Sequence, residues 1–174
     1  MEDNLFIKME SYAKENYITE IICYLLSRNP TLKKKFLKVL VSKSGISKYK
    51  KRMLKKKFSS AKILTQSYYK KYNKKVLIDL EWIAEKEKLF IEIKTDSNEG
   101  DKQIQKYLDL GMGYVVYLTP SGYDSPKVSR KKKYYLGHFF WDEISKILKD
   151  SNLKNNNQSL ITLVPLSFNV KLFE

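Results

Sequence analysis

The sequence predicts an α/β fold in which a mixed central sheet is flanked by helices. Helical apolar periodicity opens the chain, strand-like alternation fills residues 61–95, and the nearly continuous apolar run Tyr114–Leu118 follows another helical segment. A length of 174 residues with 43% hydrophobic residues suits one domain with a filled core. We therefore predict a single domain over 1–174, with a basic helical insertion at about 31–60 and a C-terminal extension at about 151–174.

The N-terminal third is predicted to be helical. A long helix spans Asn4 to Arg28 and ends at Asn29-Pro30, because the residue before proline disfavours helical backbone. Thr31 is a candidate N-cap for a second helix. A basic segment at 48–58 forms a short third helix, and we interpret this region as an insertion that contacts phosphates.

The strand region centres on a hairpin over 74–95, preceded by a first strand at 61–69. A tight two-residue turn at Glu85-Lys86 would place the residues of the two strands opposite each other in these pairs: Ala84 and Glu87, Trp82 and Leu89, Leu80 and Ile91, Asp79 and Glu92. Opposed residues share a face. One face is predicted to be apolar, with Val76, Ile78, Leu80, Trp82, Leu89, Ile91 and Ile93. The other carries Leu77, Asp79, Glu81, Phe90, Glu92 and Lys94.

The remaining elements follow in order. A helix is predicted over 101–110, and the run Tyr114–Leu118 is typical of a buried strand parallel to its neighbour. Residues 136–140 form a strand or bend, and an amphipathic helix starts at Trp141. The stretch 159–173 alternates enough for a last strand or an irregular packing arm, which could form a dimer contact.

The charged side chains of the hairpin permit two interpretations. Two carboxylates about 5 Å apart at their Cβ atoms are unfavourable unless a cation lies between them. Lys94 alone could be that cation, giving a salt-bridged hairpin surface. Alternatively, a divalent metal bridges Asp79 and Glu92, because hard oxygen ligands suit Mg²⁺ or Mn²⁺.

Asp79, a spacer of twelve residues and then Glu92-Ile93-Lys94 resemble the D…(D/E)-x-K signature of the PD-(D/E)XK nuclease superfamily. Ile78 stands where the proline of that signature would be. The element order resembles the αβββαβ core of that restriction-endonuclease-like fold over roughly residues 5–150. The pair Gln103 and Tyr107 resembles the Q-x-x-x-Y pattern of its RecB-like branch.

The resemblance implies a metal-dependent nuclease that hydrolyses phosphodiester bonds. Asp79 and Glu92 would hold Mg²⁺ or Mn²⁺, helped by the Ile93 carbonyl and by an acid from the first helix. Glu15 is favoured over Glu20 for that acid, because Glu15 falls inside the apolar stripe of the helix. The alternative is that Glu15 is an ordinary glutamate at the edge of the surface.

Three further side chains have roles implied by the same resemblance. Lys94 would orient or deprotonate the attacking water. Gln103 and Tyr107 share a helix face beside the site, because they are four residues apart. The alternative for Tyr107 is an ordinary core position.

Charge points to a polyanionic partner. The formal net charge is +15, and twelve Lys or Arg residues with no acidic residue occupy 33–57. Nucleic acid is the expected partner, with DNA as the first choice, although Lys and Tyr enrichment is also what an AT-rich genome produces. A catalytically inactive nucleic-acid-binding protein of the same fold is the alternative function.

Other features bound the function classes. The single histidine, His138, excludes sites built on paired histidines, and the single Cys23 excludes a disulfide framework. No apolar run of membrane-spanning length and no signal peptide are evident, so we expect a soluble, cytoplasmic protein without membrane contact. A homodimer would suit an enzyme that cuts two strands.

Overall fold

The computed structural model describes residues 5–71, 74–95, 100–128 and 132–150. The helices of these ranges are α1 (Leu5–Arg28), α2 (Pro30–Ser42), α3 (Lys48–Phe58), α4 (Gly100–Leu110) and α5 (Trp141–Asp150), with a one-turn 3₁₀ helix at Lys132–Tyr134. The strands are β1 (Lys62–Lys71), β2 (Lys74–Ala84), β3 (Glu87–Ile93), β4 (Tyr114–Thr119) and β5 (Tyr135–Phe140). The predicted stretch 159–173 lies outside the described residues.

The strands form one mixed sheet in the order β1-β2-β3-β4-β5. The first three are antiparallel, whereas β4 is parallel to both β3 and β5. Because β4 is parallel to β3, the connection through α4 brings the chain back to the end of the sheet at which β3 starts. Every residue of β4 is buried, which confirms the predicted buried strand parallel to its neighbour.

Helices cover both faces of the sheet. One face packs against side chains of α1, α2, α3 and α5, and the other packs against α4. Leu32, Phe36 and Leu40 of α2 and Leu54 and Phe58 of α3 are all buried in the first of these clusters. The basic region at 31–60 therefore supplies part of the main core while its lysines lie mostly at the surface. In the described part of the chain, no helix combines the length and apolar character of a membrane span.

The start of α2 differs from the prediction. Asn29, not Thr31, is the N-cap, because its side-chain oxygen accepts a hydrogen bond of 2.9 Å from the backbone N–H of Leu32. Pro30 then occupies the first turn, where its missing N–H costs nothing.

The hairpin has the predicted turn and register, with Ala84 opposite Glu87, Trp82 opposite Leu89 and Leu80 opposite Ile91. The β2–β3 ladder ends there, so Asp79 and Glu92 are not a ladder pair.

The predicted faces are wrong at Val76 and Ile78, which pack under α4 with Phe90, while Leu80 packs on the opposite face. The reversal occurs where Gln66 adopts a left-handed φ of 51° opposite Asp79. Neither residue joins the β1–β2 ladder, whose pairs run from Thr65–Leu80 directly to Ser67–Ile78. This irregularity resets the alternation in both strands.

Candidate metal-dependent active site

The backbone from Ile93 to Thr95, at the C-terminal end of β3, is held by groups from four other elements. These hydrogen bonds run from Ile93 N to Asp79 Oδ2 (2.9 Å), from Lys94 N to Leu118 O (2.9 Å), from Thr95 N to Glu15 Oε1 (3.1 Å) and from Trp141 Nε1 to Lys94 O (2.9 Å). Because β2, β4, α1 and α5 all fasten this segment, the charged side chains around it have a fixed backbone.

Lys94 is the cation at the centre of a carboxylate cluster. Its Nζ lies 3.0 Å from Glu92 Oε1 and 3.4 Å from Glu15 Oε2. Glu92 is 0% exposed, and neither of its oxygens accepts a hydrogen bond of good geometry. The contact with Lys94 therefore compensates charge without satisfying the carboxylate, which leaves the oxygens with unused capacity for a ligand.

Burial perturbs the pKa values of this cluster. Desolvation, and then the charge of Glu92, holds the pKa of Asp79 well above its ordinary value, although the Ile93 N–H and Lys94 oppose the shift. Burial also raises the pKa of Glu15 against the opposing effects of Lys94 and the Thr95 N–H. Burial alone would lower the pKa of Lys94, but the charges of Glu92 and Glu15 raise it.

The donor set suits a hard divalent cation in part. Three carboxyl groups face one ammonium, so the ionised cluster carries excess negative charge, and the unsatisfied oxygens of Glu92 are donors that Mg²⁺ or Mn²⁺ prefers. Among the described residues, however, no group of three or more His, Cys, Asp or Glu side chains is arranged to hold a metal. The residues whose chemistry suits such a cation are Asp79 and Glu92, and their role as ligands stays a prediction.

Tyr107 of α4 fastens β2 next to Asp79. Its buried hydroxyl donates to Leu77 O at 2.8 Å and accepts from Asp79 N at 3.3 Å. Burial, and then the charge of Glu92, raises the pKa of Tyr107 well above its ordinary value, while a hydrogen bond with Gln103 opposes the shift. Gln103 and Tyr107 thus lie together beside the carboxylates, and the contacts of Tyr107 are those of a positioning residue.

The two candidate acids of α1 have separate environments. Glu15 contacts Lys94 and the backbone of Thr95, whereas Glu20 accepts a hydrogen bond from the Thr65 hydroxyl. The structure places Glu15, and not Glu20, beside Lys94, and a role for Glu15 at the metal stays a prediction. The contact that the structure gives Ile93 is its N–H bond to Asp79, and a role for its carbonyl stays a prediction.

A second charged cluster was missed by sequence reasoning. Buried Glu81 lies 3.0 Å from Lys88 Nζ, and the Tyr69 hydroxyl donates to Glu81 while accepting from Lys88. The signal was present in the hairpin register, because Lys88 is two residues from Phe90, which pairs with Glu81. Such diagonal neighbours share a face.

Comparison of this chain with protein-family models, with curated proteins and with solved structures finds no match.

Proposed function

We propose that the protein is a Mg²⁺-dependent nuclease that hydrolyses phosphodiester bonds, with DNA as the expected substrate. The observation that carries the proposal is the fully buried carboxylate of Glu92, which lies beside Asp79 and the Lys94 ammonium and whose oxygens accept no hydrogen bond of good geometry. The resemblance of Asp79…Glu92-Ile93-Lys94 to the PD-(D/E)XK signature supports the same chemistry.

Each residue of the cluster has a distinct role in this proposal. Asp79 and Glu92 would hold the metal, which, when bound, polarises the scissile phosphate and lowers the pKa of a neighbouring water. Lys94, kept charged by Glu92 and Glu15, orients the attacking water and balances the negative charge that develops on the phosphate. Glu15 positions the Lys94 ammonium and the Thr95 backbone.

The test is cleavage of plasmid, linear duplex, single-stranded DNA and RNA with Mg²⁺ or Mn²⁺. We expect Glu92→Gln and Asp79→Asn to abolish cleavage, because each removes a charged ligand while nearly keeping the shape of the side chain. Glu20→Gln is the matched control on α1, since Glu20 contacts Thr65 and not the cluster. Equal cleavage by the wild type and Glu92→Gln would refute the enzymatic proposal.

A nucleic-acid-binding protein without catalytic activity is the second candidate. One observation favours it: Lys94 already lies at ion-pair distance from both Glu92 and Glu15. Binding that survives EDTA, together with no cleavage under either metal, would support this function over the first.

A further inference from the structure

Tyrosines dominate the exposed apolar surface of the described residues. Four of the six large hydrophobic side chains with high exposure are tyrosines: Tyr17 (57%), Tyr24 (48%), Tyr49 (77%) and Tyr68 (56%). Most of the aliphatic side chains of the same ranges are buried in the two cores. The exposed rings are therefore a specific feature of this surface, because apolar side chains in general are not exposed there.

Tyr17 and Tyr24 form a stripe along α1, which we call the tyrosine stripe. They are seven residues apart, so their directions differ by about 20° and their positions by about 10 Å along the axis. The Arg28 guanidinium, four residues further on, lies 5.7 Å from the centroid of the Tyr24 ring. The other side of the helix is buried, with Ile18 and Ile22 in the core.

The tyrosine stripe lies on the helix that supplies Glu15 to the carboxylate cluster, but on its opposite side, because residues two apart differ by about 200° in direction. Glu15, which contacts Lys94, is only two residues before Tyr17 on the same helix. A further exposed ring flanks the cluster from the sheet: Tyr68 pairs with Leu77, two residues before Asp79. The Lys75 ammonium lies 5.9 Å from the centroid of that ring. Exposed aromatic rings thus lie on α1, which supplies Glu15, and on β1, which pairs with the strand that supplies Asp79.

We propose that the tyrosine stripe binds a single strand of nucleic acid, with bases stacked on Tyr17 and Tyr24 and a phosphate held by Arg28. The net charge of +15 fits a polyanion. A single strand is the occupant because the faces of its bases are free to stack on aromatic rings, whereas those of a duplex are already stacked on one another. The inference rests on the proposed function in naming this strand as the substrate of the carboxylate cluster.

Binding without metal tests the stripe separately from catalysis. The anisotropy of fluorescent oligothymidylate, oligouridylate and a duplex of equal length is measured in EDTA. We expect both single strands to bind more tightly than the duplex, and Tyr17→Leu or Tyr24→Leu to weaken that binding at least about fivefold. Tyr17→Phe and Tyr24→Phe retain the ring and should bind as the wild type does.

Salt dependence distinguishes the rings from the charge. Tyr24→Leu should leave the slope of log affinity against log salt unchanged, whereas Arg28→Gln should reduce it by about 0.7, the value for one phosphate contact to a single strand. Met112→Ala, after α4, is the control, because its exposed side chain lies outside both the stripe and the basic helices, and it should change affinity less than twofold. Thermal unfolding of each variant checks that the helix is intact.

Three outcomes would overturn the inference: tighter binding of duplex, an effect of Met112→Ala equal to that of Tyr17→Leu, or no loss in either leucine variant of the stripe. If the wild type cleaves nucleic acid but any of these three results is found, the inference about the stripe is refuted and the proposal of a nuclease stands. If single strands bind in a way that depends on the tyrosine rings, but no cleavage occurs with Mg²⁺ or Mn²⁺, the inference about the stripe stands and the proposal of a nuclease is refuted.

Discussion

Replacing Lys94 by methionine should destabilise the protein strongly and in a pH-dependent way. The change removes the ammonium from between Glu92 and Glu15, while the similar length of methionine preserves packing. Because all three side chains are largely buried, solvent screens the pair little, and breaking such a buried pair costs about 3–5 kcal/mol. For a chain of this size, that loss lowers Tm by about 6–20 °C.

The pH dependence follows from the carboxyl groups left behind. Asp79 and Glu15 already have raised pKa values, and without Lys94 they should take up protons more readily. Protonation removes the uncompensated charge, so the loss of stability should be smaller at pH 5 than at pH 8.

Urea unfolding in EDTA at the two pH values, followed by circular dichroism, measures both effects. Lys88→Met is the matched control, because it breaks another buried pair, with Glu81, outside the cluster. Both variants should lose stability, but only Lys94→Met should gain more from Mg²⁺ than the wild type does, since it lacks the competing ammonium. A loss below about 1 kcal/mol at pH 8, or an equal Mg²⁺ response in both variants, would refute this account of the cluster.

Two further changes test the structure. The pKa of Asp79 is raised in the folded state, so its contribution to metal-free stability is present at low pH and is lost as pH rises through the folded pKa. Asp79→Asn should therefore flatten the decline of stability above about pH 4, measured by urea unfolding in EDTA; an unchanged decline contradicts it. Gly113→Ala would place a Cβ 2.4 Å from the carbonyl oxygen of Lys88 and should cost about 1–3 kcal/mol by the same measurement, whereas Gly45→Ala, with open space around its Cβ, should cost less.

The hairpin was predictable from the sequence because it depends on local rules. A two-residue turn at Glu85-Lys86 fixes the register, and the period of two places each side chain on a face. Nothing beyond about ten residues is needed to oppose Trp82 to Leu89. The same locality explains why the helices and the buried strand at Tyr114–Thr119 could be placed from their periodicity.

The reversal of faces at Asp79 could not be predicted in this way. It depends on the left-handed backbone of Gln66, a residue without the freedom of glycine, in a neighbouring strand. Hydrogen bonds from outside the β1–β2 ladder support β2 at this position. The Tyr107 hydroxyl bonds the backbone of Leu77 and Asp79, and the Asp79 carboxylate accepts from Ile93 N of β3. The hydrogen bonds of Tyr107 form only when α4 packs on the sheet, so the sequence of the strands alone does not indicate them.

This irregularity links the fold to the proposed chemistry. Because the β2–β3 ladder stops at Leu80 and Ile91, Asp79 is free to bring its carboxylate to the end of β3, where Glu92 and Lys94 lie. The excess negative charge collected there has two ways to be neutralised, a proton on Asp79 or a divalent cation. In the proposed nuclease, binding of the metal would displace a proton, and the carboxyl group that lowers metal-free stability at high pH would become a ligand there. The stability that Asp79 costs the metal-free protein at high pH would then be recovered when the proposed metal binds.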